Sequence, residues 1–112
     1  MGSTASDALG AATLRLVDAL VAAEWQSHAC EQLATRCGRN LPLLASASGE
    51  EIERIRFAVL KLGAGSRQDF DYAITVANTD WRDVLVAAGF GRSLRAHRDW
   101  EAEVLANSRK MG

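Results

Sequence analysis

Histidine, cysteine and carboxylate side chains are the groups here that could bind a metal ion, and several gather in one stretch. His28 lies four residues after Glu24 and three before Glu31, so a helix would place all three on one face. A carboxylate-bridged di-metal bundle needs Glu-x-x-His pairs, and the spacing from Glu24 to His28 is one residue too long. The second histidine, His97, has no glutamate three residues before it. We therefore predict no metal site.

The two cysteines, Cys30 and Cys37, are the other candidate ligands or nucleophiles. Zinc sites usually carry ligands two to four residues apart, whereas these thiols are seven apart. Seven residues along a helix separate two Cα atoms by about 10.5 Å, and a disulfide needs about 7 Å or less. We expect reduced thiols, which are typical of a cytoplasmic protein.

Motifs for catalysis and for cofactor binding are missing from the sequence. No serine stands in a recognisable local motif with a histidine and an acid. The glycine-containing stretch 63–66 lacks the lysine of a phosphate-binding loop, and no clear strand precedes it. We predict a protein that is not an enzyme, with no catalytic residue and no cofactor.

Arginine and tryptophan collect in the last third of the chain, where they could bind a partner. Residues 81–112 carry six basic and four acidic side chains, a net charge of +2, although the whole chain has −1. Both residue types are enriched among the side chains that contribute most to protein interfaces. We predict a partner surface made of Trp81, Arg92, Arg95, Arg98 and Trp100.

The stretch 83–98 predicts a helix, a stop at Gly89 and a second helix. It resembles the helix-turn-helix of the lactose-repressor family, which has a glycine at the turn, an apolar residue next and a basic second helix. The resemblance implies DNA contacts from Arg92, Ser93, Arg95 and Arg98. It is confined to this stretch, and Leu85 stands where the family has a small alanine.

Helix start and stop signals divide the chain into an all-α bundle of four to five helices. A hydroxyl residue followed three positions later by a carboxylate, which is typical of a helix N-terminus, occurs at Thr4, Ser48 and Ser66. From the first of these we predict a long N-terminal helix over about residues 7–36, with a stop at Gly38. Its apolar residues recur every three or four positions.

A tight helix–glycine–helix corner is predicted near residue 89. Gly89 can take the left-handed conformation that ends many helices, because it has no Cβ. Phe90 follows at the position whose side chain folds back on the last turn, near Leu85. The next helix is expected to begin near Ser93.

Two segments need a choice between alternatives. Residues 41–45 form an irregular joint around Pro42, and we expect its three leucines to lie beneath the bundle. Residues 54–77 show the alternation of a β-hairpin as well as helical spacing. The capping pattern at Ser66 and the many alanines favour two helices there.

Composition bounds the class of protein. A chain of 112 residues, 48% of them hydrophobic, predicts a single domain over residues 1–112, with fraying at 1–6 and 107–112. No apolar run approaches the roughly 20 residues that span a bilayer, and residues 1–10 do not resemble a signal peptide. We expect a cytoplasmic protein without a membrane partner.

The function expected from these observations is a non-enzymatic interaction module that binds another protein or itself, as a homodimer. The alternative is a helix-turn-helix-like regulator that binds nucleic acid through residues 83–98.

Overall fold

The computed structural model describes residues 8–111, with side chains as far as Ser108. This part of the chain is all-helical, which confirms the predicted fold class. The helices are α1 (Ala11–Leu20), α2 (Gln26–Arg36), α3 (Gly49–Gly63), α4 (Arg67–Ala88) and α5 (Ala96–Met111), with a 3₁₀ turn at Ala23–Trp25. The fraying predicted for 1–6 lies outside the described residues, and α5 is helical as far as Met111.

The predicted long N-terminal helix over residues 7–36 is wrong, because the chain breaks between α1 and α2. Val21 has an extended backbone, and Ala22 has a φ of −59° and a ψ of 142°, so neither residue is helical. The Gln26 side chain donates a hydrogen bond to the Val21 carbonyl at 2.8 Å. This bond replaces the intrahelical one that the carbonyl loses where the helix ends. The break buries Val21 and Trp25 together, and no glycine or proline marks it in the sequence.

Helix α3 is the centre of the bundle and contacts α1, α4 and α5. Every residue over 55–60 is buried, as expected for a helix that is surrounded on all sides. Its N-terminus has the predicted capping box: Ser48 Oγ accepts from the Glu51 backbone N–H, and the Glu51 carboxylate accepts from the Ser48 N–H.

Helices α3 and α4 form a hairpin, so residues 54–77 are two helices and not the β-hairpin considered as an alternative. The turn is closed by a backbone contact that only glycine allows. A Cβ added to Gly63 would lie 2.5 Å from the Phe70 Cα. Ser66 then caps α4 by accepting from the Asp69 backbone N–H at 3.1 Å.

Helix α4 kinks at Asp80, whose φ of −157° and ψ of 101° are not helical. The Asp80 carboxylate accepts from the Arg82 backbone N–H at 3.1 Å, as an N-cap side chain would. The kink divides α4 into a first part, 67–79, and a second part, 81–88.

The end of α4 confirms the predicted glycine stop. Gly89 has a φ of 83°, in the left-handed region. The Phe90 N–H donates to Leu85 O at 2.8 Å, and the Gly89 N–H donates to Val86 O at 3.1 Å. This pair of bonds defines a Schellman motif. The next helix begins at Ala96, three residues after the predicted start.

The segment between α2 and α3 departs from prediction at one leucine. Leu41 and Leu44 are buried as expected, but the side chain of Leu43 is 91% exposed. Leu43 also has a φ of 69°, which is costly for a residue with a Cβ. Backbone hydrogen bonds from Leu41 N–H to Gly38 O and from Leu44 N–H to Leu41 O form two successive turns, in which Leu41 and Leu44 point inward and Leu43 points outward.

Candidate interaction surface

Trp81, the first residue of the predicted partner surface, is half-buried against the α2–α3 segment. Its indole N–H donates to Pro42 O at 2.8 Å. The second part of α4 begins with this residue, so the hydrogen bond ties the kink of α4 to the loop that carries Leu43. Trp81 therefore stabilises the contact between α4 and the α2–α3 segment.

Trp100, a residue of α5 that belongs to the predicted surface, packs against aromatic rings of other elements. Its ring centroid lies 6.2 Å from that of Phe57 and 5.9 Å from that of Phe90. The buried His97 ring joins the same group, 5.5 Å from Phe57. This aromatic cluster docks α5 on α3, and only part of the indole reaches the surface.

Arg98 lies among carboxylates of α3 and α5. Its guanidinium donates to Glu50 at 2.7 Å, to Glu101 at 2.9 Å, and also to Glu53. It sits 5.3 Å from the centroid of the Phe57 ring. These hydrogen bonds, that of Glu50 above all, raise the pKa of Arg98. Its positive charge is neutralised within the molecule.

Glu50 joins this ion-pair cluster to the aromatic one. Its Oε2 accepts from Nε2 of His97 at 2.8 Å. The hydrogen bond from Arg98, and then that from His97, hold the pKa of Glu50 below its usual value. Nδ1 of His97 is buried with no hydrogen-bond partner among the described residues. The two clusters together fix α5 against the first turns of α3.

Arg92 and Arg95 differ from Arg98, although all three belong to the predicted surface. Both lie on the connection between α4 and α5, both are exposed, and neither forms an ion pair with a described side chain. Between them, Leu94 has 77% of its surface exposed. We call residues 92–95, with sequence Arg-Ser-Leu-Arg, the 92–95 segment.

Two cations of α3 hold the chain just before Leu94. Lys61 Nζ donates to Ala88 O at 2.8 Å and lies 5.1 Å from the centroid of the Phe90 ring. The Arg54 guanidinium donates to Phe90 O and, at 3.4 Å, to Ser93 O. The exposed leucine is thus presented from a backbone that is bound to the core helix.

A cleft of about 390 Å³ opens where α4 kinks, at its border with the end of α3. Apolar and aromatic side chains of α3 and of both parts of α4 line it: Leu62, Tyr72, Val76, Val84 and Ala87. Tyr72 is 71% exposed and Leu62 is 39% exposed. We call this feature the α3–α4 cleft. Adjoining large side chains left in water are typical of interaction sites.

Two carboxylates, Asp69 and Asp83, belong to the lining of the α3–α4 cleft. Both are exposed, and neither forms an ion pair with a described side chain. The neighbouring Arg82 is bound instead to Asp80, with Nε and Oδ1 3.0 Å apart. The cleft therefore offers apolar surface beside two negative charges, which suits an apolar group with positive charges next to it.

The five residues of the predicted surface thus lie in three separate places: at the kink of α4, on α5 and in the 92–95 segment. The α3–α4 cleft was not predicted from the sequence. A signal for the cleft was present in the sequence. Phe70, Ala73 and Ile74 define the buried face of α4, and Tyr72 falls off that face. A tyrosine on the polar side of an amphipathic helix points to contact with something other than its own core.

Candidate metal ligands do not converge in the part of the chain that the structure describes. His28 is bound to Asp71 of α4, with Nε2 and Oδ1 2.6 Å apart, and not to Glu24 or Glu31. Both cysteines are free. Burial raises the pKa of the Cys37 thiol to about 12 and raises that of Cys30 as well. Neither thiol has the lowered pKa of a reactive cysteine.

Comparison with family models, with curated protein sequences and with solved structures finds no match to this chain. Within residues 8–111, no helix combines the length and the apolar character that crossing a bilayer requires.

Proposed function

We propose that this chain is a non-enzymatic protein-interaction module, and that it binds its partner in the α3–α4 cleft. The observation that carries the proposal is an apolar cleft with two unpaired carboxylates in its lining. The occupant we infer is an apolar side chain with lysine or arginine on either side.

The chemistry of the cleft supports binding through a small number of strong contacts. Tyr72 can bury a large ring at low cost in conformational entropy, since only two side-chain torsions become fixed. Removing apolar surface from water contributes about 25 cal/mol per Å². Asp69 and Asp83 would steer a cationic partner toward the cleft and set its orientation.

Binding of DNA through residues 83–98 has less support from the geometry. A helix-turn-helix joins its helices by three or four residues, and here residues 89–95 separate α4 from α5. Arg92 and Arg95 lie on that connection and not on a second helix. Arg98 is on the helix but is paired with three carboxylates.

We also propose a cytoplasmic location. The two free thiols, one of them buried, fit a reducing compartment. Measuring the fraction of reduced thiol in protein alkylated directly in intact cells tests this, and a disulfide-linked product would contradict it.

Selection from a displayed library of random peptides tests the function of the cleft. We expect the selected peptides to share an apolar residue flanked by lysine or arginine. Isothermal titration should show that Tyr72→Ala weakens their binding by about tenfold, which corresponds to about 1.4 kcal/mol. Tyr72 is largely exposed, so the fold should tolerate the change.

A charge variant with a matched control sharpens this test. The double substitution Asp69→Asn with Asp83→Asn should weaken peptide binding and reduce its dependence on salt. Asp18→Asn removes an exposed carboxylate of α1, outside the cleft, and should change neither. Selected peptides with no common pattern, or binding that Tyr72→Ala leaves unchanged, would overturn the proposed function.

A further inference from the structure

We propose that the occupant of the α3–α4 cleft is a second copy of this chain, which inserts Leu94 with Arg92 and Arg95 on either side of it. This inference rests on the proposed function of the cleft, and it names the partner. The product is a closed dimer in which each chain gives its 92–95 segment and receives that of the other.

Charge and apolar surface match between the two features. The cleft joins apolar walls to the carboxylates of Asp69 and Asp83, and neither carboxylate is paired within the chain. The 92–95 segment joins an exposed leucine to two guanidinium groups that are likewise unpaired. One chain therefore carries both an apolar cleft with two negative charges and an apolar knob with two positive charges.

The positions of the two features suit a two-fold arrangement. Asp83, Val84 and Ala87 line the cleft on the second part of α4. On the same two turns, Val86 lines a separate concavity of about 260 Å³ with Gly89, Gly91 and Arg92. Val86 is 71% exposed and lies three residues after Asp83, so it separates the cleft from the 92–95 segment.

A two-fold axis near Val86 would make the same contact twice. Such an interface is self-complementary and closes after two copies, as is commonest among homo-oligomers. Val86 of one chain would then face Val86 of the other, which explains why this large apolar side chain is left in water.

The 92–95 segment is prepared for binding by contacts within its own chain. The Arg54 guanidinium holds the carbonyl groups of Phe90 and Ser93, and Lys61 holds that of Ala88. A backbone that is fixed before binding loses less conformational entropy when the complex forms. The segment can therefore insert Leu94 without first becoming ordered.

Sedimentation equilibrium of the full chain tests the dimer. At low salt we expect the mass to rise from 12.1 kDa toward twice that value as the concentration increases from about 10 µM to about 500 µM, a range suited to a weak, small interface. Leu94→Asp should keep the mass at that of one chain. Leu43→Asp, the matched change of the other strongly exposed loop leucine, should associate like the original protein.

A charge exchange between two variants tests which groups meet. One variant carries Asp69→Lys and Asp83→Lys, and the other carries Arg92→Asp and Arg95→Asp. Each alone should be monomeric, because its cleft and its segment have like charges. An equimolar mixture should dimerise, since both contacts of the mixed dimer again join opposite charges.

The outcomes separate this inference from the function on which it rests. If the selected peptides bind the cleft but the chain stays at 12.1 kDa at every concentration, the second copy is wrong and the proposed function stands. If neither occurs, both are wrong. A mass that keeps rising beyond two chains, or a mixture of the charge variants that stays monomeric, overturns the two-fold arrangement.

Discussion

Arg95 and Arg98 lie three residues apart, yet they have opposite electrostatic surroundings. Arg98 is bound to three carboxylates and lies over an aromatic ring. Arg95 is exposed and has no ion pair with a described side chain. The same contrast separates the carboxylates: Glu50 is bound within the fold, whereas Asp69 and Asp83 are not.

This difference distinguishes the charges that stabilise the fold from those that are available to bind a partner. A charge that is paired across two helices fixes how they pack. An unpaired charge beside an exposed apolar side chain fixes no contact between helices, and it is available to set the orientation of a second molecule. Composition alone would count both kinds together, as the prediction of a single arginine and tryptophan surface did.

The largest effect on stability is expected from removing Arg98, the arginine that is paired within the fold. Arg98→Ala leaves Glu50, Glu53 and Glu101 close together without their cation, and should lower the free energy of unfolding by about 2 kcal/mol after allowance for partial exposure. Arg95→Ala should change it by less than about 0.5 kcal/mol. Urea unfolding of the monomer, measured at low concentration, compares them, and equal losses would contradict the contrast.

A change of pH tests the same paired charges, through the titration of Glu50. The pKa of Glu50 is lowered in the folded chain by its hydrogen bonds with Arg98 and His97. Its contribution is therefore fully present above its usual value of 4.5 and is lost as the pH falls through the lowered one. The difference in unfolding free energy between the original protein and Glu50→Gln should shrink as the pH falls from 6 toward 3, because protonation of Glu50 removes this contribution. A difference that grows on acidification would reverse this assignment.

The smallest effect is expected at Leu43, whose exposed side chain lies outside the α3–α4 cleft and outside the carboxylate cluster around Arg98. Leu43→Gly removes the Cβ from a left-handed residue and should raise the free energy of unfolding by about 0.5 kcal/mol, the strain relieved less the added freedom of the unfolded chain. Leu43→Ala keeps the strain and should change little. Thermal unfolding of the two variants tells them apart, and a clear loss in Leu43→Gly would mean that the leucine makes a stabilising contact.

Local signals in the sequence predicted the parts of the fold that depend on neighbouring residues. Ser48 and Ser66 cap helices because their hydroxyls reach a backbone N–H three residues on. Gly89 ends α4 for an equally local reason. The break at Val21 contains no glycine or proline, and it buries Val21 and Trp25 in the core, so it depends on packing that the local sequence does not indicate.

The candidate site was predicted in part, for a similar reason. Arg92 and Arg95 could be identified as exposed cations from their place after a helix stop. The pairing of Arg98 with Glu50 joins residues far apart in the chain, and neither spacing nor composition indicates it. The cleft likewise forms only when the kink at Asp80 sets the two parts of α4 around Leu62.

Amide and side-chain NMR spectra recorded during dilution test the central claim most directly. We expect signals of Tyr72, Val86 and Leu94 to shift together as the protein is diluted, while those of Arg98, Trp100 and Leu43 stay in place. The shared midpoint would show that the unpaired charges and their apolar neighbours form the interface. Spectra that do not change with concentration, or shifts centred on Arg98 or Leu43, would contradict it.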